Sequence, residues 1–224
     1  MKILALEFSS AHRSVAVVCG RAGGAASAVS EVLETGAIGT TAFAMIRSAL
    51  QEAKLEREQI EVLAVGLGPG SYTGIRVAIS IAQGWQLATG NDGMKLLGIC
   101  SANCLAAQAQ AEKIFGRVSV VIDAQRNEFY LAAYEISAGG WTVIEPLRIQ
   151  SRAEVESRAS SNELLIGPEI TRWFPRGRIV FPRAAMLGQL ALSRNDFTAG
   201  EKLEPVYLRE TNFVKAPPGR WTAS

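Results

Sequence analysis

Apolar and polar positions along the chain alternate in short runs. Residues 2–8, KILALEF, form a compact apolar run of strand length, followed by the polar stretch SSAHR and a second such run, SVAVVCG. After the glycine-rich turn RAGG, residues 25–34 (AASAVSEVLE) read as a third strand. Connections this short predict antiparallel neighbours, hence a three-strand meander. The spacing then lengthens. Thr40 or Thr41 is placed to N-cap a helix through about Lys54, with Phe43, Ile46, Leu50 and Ala53 on one stripe and Ala42, Met45 and Ala49 on a second. Residues 62–67, VLAVGL, predict a buried strand parallel to the first. A loop, GPGSYT, leads into a helix over 74–89; residues 95–99 are another strand, and Ser101 opens an alanine-rich helix to about residue 112.

The second half restarts the order. RVSVVIDA, NEFYLAAYEI and WTVIEPLRI read as three strands, Ser151 with Glu154 as a capping box, ELLIGP as a strand running into a turn, and 184–193 as a helix before an irregular tail with Pro217, Pro218 and Gly219. Strands separated by helices require crossovers and a mixed sheet. The repeated order predicts an α/β protein of two lobes of related topology, residues 1–100 and residues 101–224.

Composition narrows the class. A chain of 224 residues with 48% hydrophobic and 20% charged residues has ample core and lies well outside the disordered class. Its net charge of +2 and lack of a Lys/Arg-dense run argue against tight autonomous binding to nucleic acid. The arginines scattered through the second half read as a solvated face. Cys19, Cys100 and Cys104 are too few for a disulfide framework. The start MKILALEF lacks a signal peptide's features, and no apolar run reaches about 18 residues. The expectation is a cytoplasmic protein with reduced thiols and no membrane span.

The candidate chemistry is thin. Gly68, Gly70 and Gly74 give G-x-G-x-x-x-G, which misses the dinucleotide spacing, and the loop has no P-loop lysine. Amides opening the next helix remain a candidate anion site, against a structural turn for close helix–strand packing. Ser71 is outside a G-x-S-x-G elbow, and the one histidine, His12, reads as a solvent-exposed hairpin residue. A single histidine supplies no H-x-x-x-H pair, so Cys100 and Cys104 read as buried thiols and no metal or cofactor is expected. Glu7 and Asp123, each ending a strand, are the carboxylates best placed to hold hydrated Mg, or else to close turns. The helix after the glycine loop carries one charge, Arg76, and is apolar around nearly its whole circumference. Such a helix must be covered on more than its core side, by the second lobe or by another protein.

Four motifs now carry a resemblance. ILALEFSSAHRSVAVV, GPGSYTGIR at 68–76, DAQRNEFY at 123–130 and PVYLR at 205–209 resemble the motifs of the TsaB (YeaZ) family, over almost the whole chain to about Arg209. The resemblance implies an ASKHA-type fold (actin, sugar kinase, Hsp70-like) and a non-catalytic subunit. In that family the partner TsaD carries the metal-binding histidines and performs carbamoyl transfer in making threonylcarbamoyladenosine beside the tRNA anticodon. It implies pairing with a TsaD-type subunit through first-lobe helices, a TsaE-type ATPase in the assembly, only indirect tRNA involvement, and a homodimer when alone. The expected interface is Ala42, Met45, Ala49, Arg76, Ala78, Ala82 and Trp85. Gly68, Pro69, Gly70, Ser71, Tyr72, Thr73 and Gly74 form the identifying loop. A nucleotide-hydrolysing or peptidase-like enzyme of the same fold is the alternative. Two departures stand out: the family's usual Asp is Glu7 here, and GAIGTTAF replaces a His-Ser pair before the first helix.

Overall fold

A computed structural model describes residues 1–21, 26–36, 41–90, 93–161 and 163–209. Residues 22–24 of the RAGG turn, Thr40 and the tail with Pro217, Pro218 and Gly219 lie outside the described residues. The first lobe holds β1 (Lys2–Glu7), β2 (His12–Gly20), β3 (Ala26–Thr35), α1 (Ala42–Ala53), β4 (Val62–Gly66), α2 (Tyr72–Thr89) and β5 (Lys95–Ile99). After it come α3 (Ser101–Ala111), β6 (Gly116–Asp123), β7 (Glu128–Ser137), β8 (Gly140–Ser151), α4 (Arg152–Ser160), β9 (Leu164–Gly167), β10 (Arg178–Ile179) and α5 (Ala184–Leu192).

Two five-stranded sheets repeat one plan. The first has the order β3-β2-β1-β4-β5, the second β10-β9-β6-β7-β8. In each, the opening strand pairs antiparallel with the next and parallel with the fourth: Leu4 faces Val17 and Leu63, and Val120 faces Ala132 and Ile166. These are the two related mixed sheets that the repeated order predicts, on the ASKHA-type plan that the resemblance implies. Strand β10 has only two residues, too short to leave a periodic signal.

Strand alternation builds the layers. Leu4 and Leu6 point to one face of the first sheet, under α1 and α2, while Ile3 and Ala5 point to the other, under α5. In the second sheet Val118 and Val120 meet α3, and Val121 and Leu131 meet Val155 of α4. Helix α5, late in the chain, therefore covers the first sheet. It gets close because Gly188 has no side chain to strike Val18. Its N-terminus is capped from a distance, the Ala184 N–H donating to Ser14 Oγ at 2.8 Å.

Local signals hold in part. Ser151 and Glu154 form the expected capping box of α4. Helix α2 begins at Tyr72, two residues earlier than the sequence suggests, because Ser71 accepts the Gly74 N–H. Thr41 occupies the N-cap position of α1, but its hydroxyl donates to Glu34 at 2.9 Å instead of capping.

Candidate functional site

The glycine loop is bound to its own chain. The Ser71 N–H donates to the Ser9 carbonyl at 2.7 Å, and the Ser101 N–H to the Gly68 carbonyl at 2.7 Å. A side chain at Gly70 would strike the Ser9 carbonyl oxygen, and one at Gly74 that of Phe8. The Gly68–Pro69 bond is cis, and Gly68 and Gly70 have φ of +83° and +147°. The glycines thus let the loop lie on the β1–β2 turn. Of the amides a phosphate cradle would use, that of Gly68 goes to Ser101 Oγ, that of Ser71 to Ser9 and that of Gly74 to Ser71 Oγ.

Glu7 anchors this junction. It is fully buried, and its carboxylate accepts the Ser9 N–H at 2.8 Å and the Ser101 hydroxyl at 2.9 Å. Gly66 leaves the room that the longer Glu side chain takes. Burial raises the Glu7 carboxyl above its ordinary range, opposed by the hydrogen bonds from Ser9 and Ser101. A carboxyl raised on folding contributes stability that is fully present below its unfolded value of about 4.3 and lost as pH rises through the folded value. The stability of the parent chain relative to Glu7→Gln is therefore expected to fall as pH rises from about 4 towards neutral, read from urea unfolding at each pH. A relative stability that climbs with pH contradicts the assignment.

The other candidates are likewise engaged. Asp123 accepts from the Gln125 N–H at 2.8 Å and from Gln125 Nε2 at 2.9 Å, closing a turn. His12 is not a free hairpin residue: its ring is half-buried and stacks on Phe181 with centroids 3.6 Å apart. Cys104 is buried and Cys100 half-buried, and burial pushes both thiols up. Among the described residues no group of three or more His, Cys, Asp or Glu could hold a metal ion. Nor is any helix among them long and apolar enough to cross a membrane.

The expected interface needs correction. Ala42, Met45 and Ala49 of α1 and Ala78 and Ala82 of α2 are buried in the first lobe's own core. The four alanines let the helices lie close on the sheet and Met45 fills the core beside them, so none of the five faces outward. Trp85 packs half-buried on the same core, and Arg76 is exposed. The outward faces instead present Phe43 on α1 and Tyr72, Ser80, Gly84 and Leu87 on α2, with Leu87 78% exposed. Residues Ile75, Ala78, Ile79 and Ala82, at i, i+3, i+4 and i+7, form the buried side of α2, and an apolar composition around the whole helix hides that side in the sequence.

Three motifs meet beside that face. The Arg76 guanidinium lies 4.0 Å from the centre of the Tyr72 ring, and its Nε donates to Tyr207 Oη at 3.1 Å. Two residues on, Arg209 Nη2 donates to the Ala124 carbonyl at 3.0 Å and to Glu128 Oε2 at 2.5 Å. GPGSYTGIR, PVYLR and DAQRNEFY are thus one connected structure.

Comparison with known proteins places this arrangement. A family model described as TsaD, tRNA N6-adenosine threonylcarbamoyltransferase, matches residues 40–208. The tRNA threonylcarbamoyladenosine biosynthesis protein TsaB of Escherichia coli (strain K12) is 29% identical over 196 residues, covering 79% of this chain and 82% of that protein. TsaB of Haemophilus influenzae (strain ATCC 51907 / DSM 11121 / KW20 / Rd) is 29% identical over 204 residues, covering 79% and 81%. A solved structure of YeaZ from Pseudomonas aeruginosa superposes with a TM-score of 0.74 at 25% identity, over 92% of this chain and 99% of that one. A second structure, described as an uncharacterized protein with similarity to peptidase YEAZ from the same organism, gives 0.75 at 25% identity over 93% and 99%. The four sequence motifs, the paired mixed sheets and these matches agree, and the chain belongs to the TsaD-type family as a homologue of TsaB (YeaZ).

Proposed function

We propose that the chain is a non-catalytic subunit that binds a TsaD-type threonylcarbamoyltransferase and supports it in modifying the adenosine next to the tRNA anticodon. The observation that carries this reading is the outward side of α1 and α2. Helix α2 has one charge in 18 residues, and Tyr72, Leu87 and Phe43 are more than half exposed at 56%, 78% and 70%. Large apolar side chains rimmed by few charges favour a protein partner. The reading includes a TsaE-type ATPase in the assembly, a homodimer on the same helices when the chain is alone, indirect involvement of tRNA, and a cytoplasmic setting. The two sheets are read as two lobes dividing near residue 100.

The enzyme alternative, nucleotide hydrolysis or peptidase-like activity, would need Glu7 or Asp123 as its working carboxylate. Glu7 is sealed from solvent and Asp123 is engaged by Gln125, which disfavours both. The test is formation of threonylcarbamoyladenosine on tRNA by TsaD- and TsaE-type subunits with and without this chain. The expected result is product only when the chain is present, with Glu7→Gln and Asp123→Asn as active as the parent. Robust ATP or peptide turnover by the isolated chain, abolished by either substitution, would reverse the assignment.

A further inference from the structure

Residues 198–209 run along the first lobe and finish on the second. The Thr198 N–H donates to the Leu96 carbonyl of β5 at 3.0 Å. Gly200 is gripped from α2 on both of its polar groups: its N–H donates to Gln86 Oε1 and its carbonyl accepts from Gln83 Nε2, each at 2.9 Å. Leu203 is buried in the core beneath α1 and α2, and the Val206 N–H donates to the Leu67 carbonyl at 2.9 Å. Tyr207 then receives Arg76, and Arg209 crosses to the turn between β6 and β7.

The turn that Arg209 reaches is strained. Gln125, Arg126 and Asn127 have φ of +64°, +60° and +60°, a conformation that side chains with a Cβ adopt at a cost. Ala124 and Glu128 close it by a backbone bond of 3.0 Å, and these are the residues that Arg209 holds. One arginine thus ties the end of the segment to both stems of a turn in the other lobe. The neighbouring tyrosine fixes the one charge of α2.

We propose that residues 198–209 are a strap joining the lobes, and that Tyr207 and Arg209 are positioning residues that hold Arg76 in its outward pose. The partner-facing side of α2 then depends on the second lobe, which does not itself supply that helix. This coupling rests on the partner reading above, whereas the strap does not.

Amide hydrogen exchange on the full chain tests the strap. Arg209→Met is expected to speed exchange at Val206, Ala124 and Glu128 by about tenfold while the β4 and β6 amides stay protected, and Arg209→Lys, which keeps a charge for Glu128, is expected to restore most of the protection. Unchanged exchange at those three amides in Arg209→Met overturns it. Titration with a TsaD-type subunit tests the coupling. Arg209→Met and Tyr207→Phe are each expected to weaken binding by about fivefold, and Arg209→Met to add nothing in an Arg76→Met background, because its effect passes through Arg76. An undiminished effect of Arg209→Met in that background overturns the positioning role, as does parent-like binding of Arg209→Met beside a weakened Arg76→Met. If Arg76→Met binds as the parent does, the coupling falls and the strap is judged by exchange alone. A surface that also tolerates Leu87→Arg would mean that the partner reading itself has failed.

Discussion

Gly70→Ala is expected to destabilise the isolated chain by about 3 kcal/mol or more, measured by urea unfolding. Two costs act together at this position. Gly70 has φ of +147°, where a residue with a Cβ is strained, and its added methyl would strike the Ser9 carbonyl oxygen. That carbonyl is backbone, and it already accepts the Ser71 N–H that starts α2, so it cannot move aside without undoing the loop. Gly84 gives the contrast. It sits on the open side of α2, nothing lies within 4 Å of where its methyl would go, and Gly84→Ala is expected to stabilise the chain by up to about 1 kcal/mol. If the two alanines have the same effect, the close packing of the loop is wrong.

Leu87→Arg is expected to weaken binding to a TsaD-type subunit by about thirtyfold or more while leaving the melting temperature of the isolated chain nearly unchanged. Leu87 is 78% exposed on α2, so a charge there costs little until a partner covers it. Ala82→Arg is the opposite case. Ala82 has no exposed surface and packs under the same helix, so the substitution buries a charge and unfolds the lobe. Its failure to bind would say nothing of an interface. A folded Leu87→Arg that binds as tightly as the parent removes α2 from the partner surface.

How far the sequence could be read follows from the range of each interaction. The strands were legible because compact apolar runs such as KILALEF and RVSVVIDA are a local pattern, and the repeated order of the two halves pointed to the paired sheets. The capping box of α4 was legible for the same reason, since Ser151 and Glu154 are three residues apart. The assignment of α5 to the first sheet was hidden, because it depends on Gly188 meeting Val18 and on Ser14 capping Ala184, partners far away in sequence. Small residues on α1 and α2 misled for a related reason. Alanine permits close approach to a sheet as well as to another protein, and only burial tells which. The glycine loop was legible as a turn, but not as a turn fastened to Ser9, and PVYLR gave no hint that Arg209 would bridge to Ala124 and Glu128. His12 was misread because nothing near it in sequence announces Phe181.

The Glu7 junction shows why a fold that elsewhere supports catalysis is read here as a scaffold. Its carboxylate joins the end of β1 to Ser101 at the start of α3, and through Ser101 to Gly68 of the loop. A fully buried carboxyl that accepts from both Ser9 and Ser101 is a fastening between elements, with neither oxygen exposed to solvent.

The most direct test of the scaffold reading is to mix the purified chain with its cognate TsaD-type subunit and measure the mass of the eluting species by size-exclusion chromatography with light scattering. The expected result is a stable complex containing one copy of each, formed at the expense of any homodimer and lost with Leu87→Arg. Separate elution of the two proteins at micromolar concentration would contradict it.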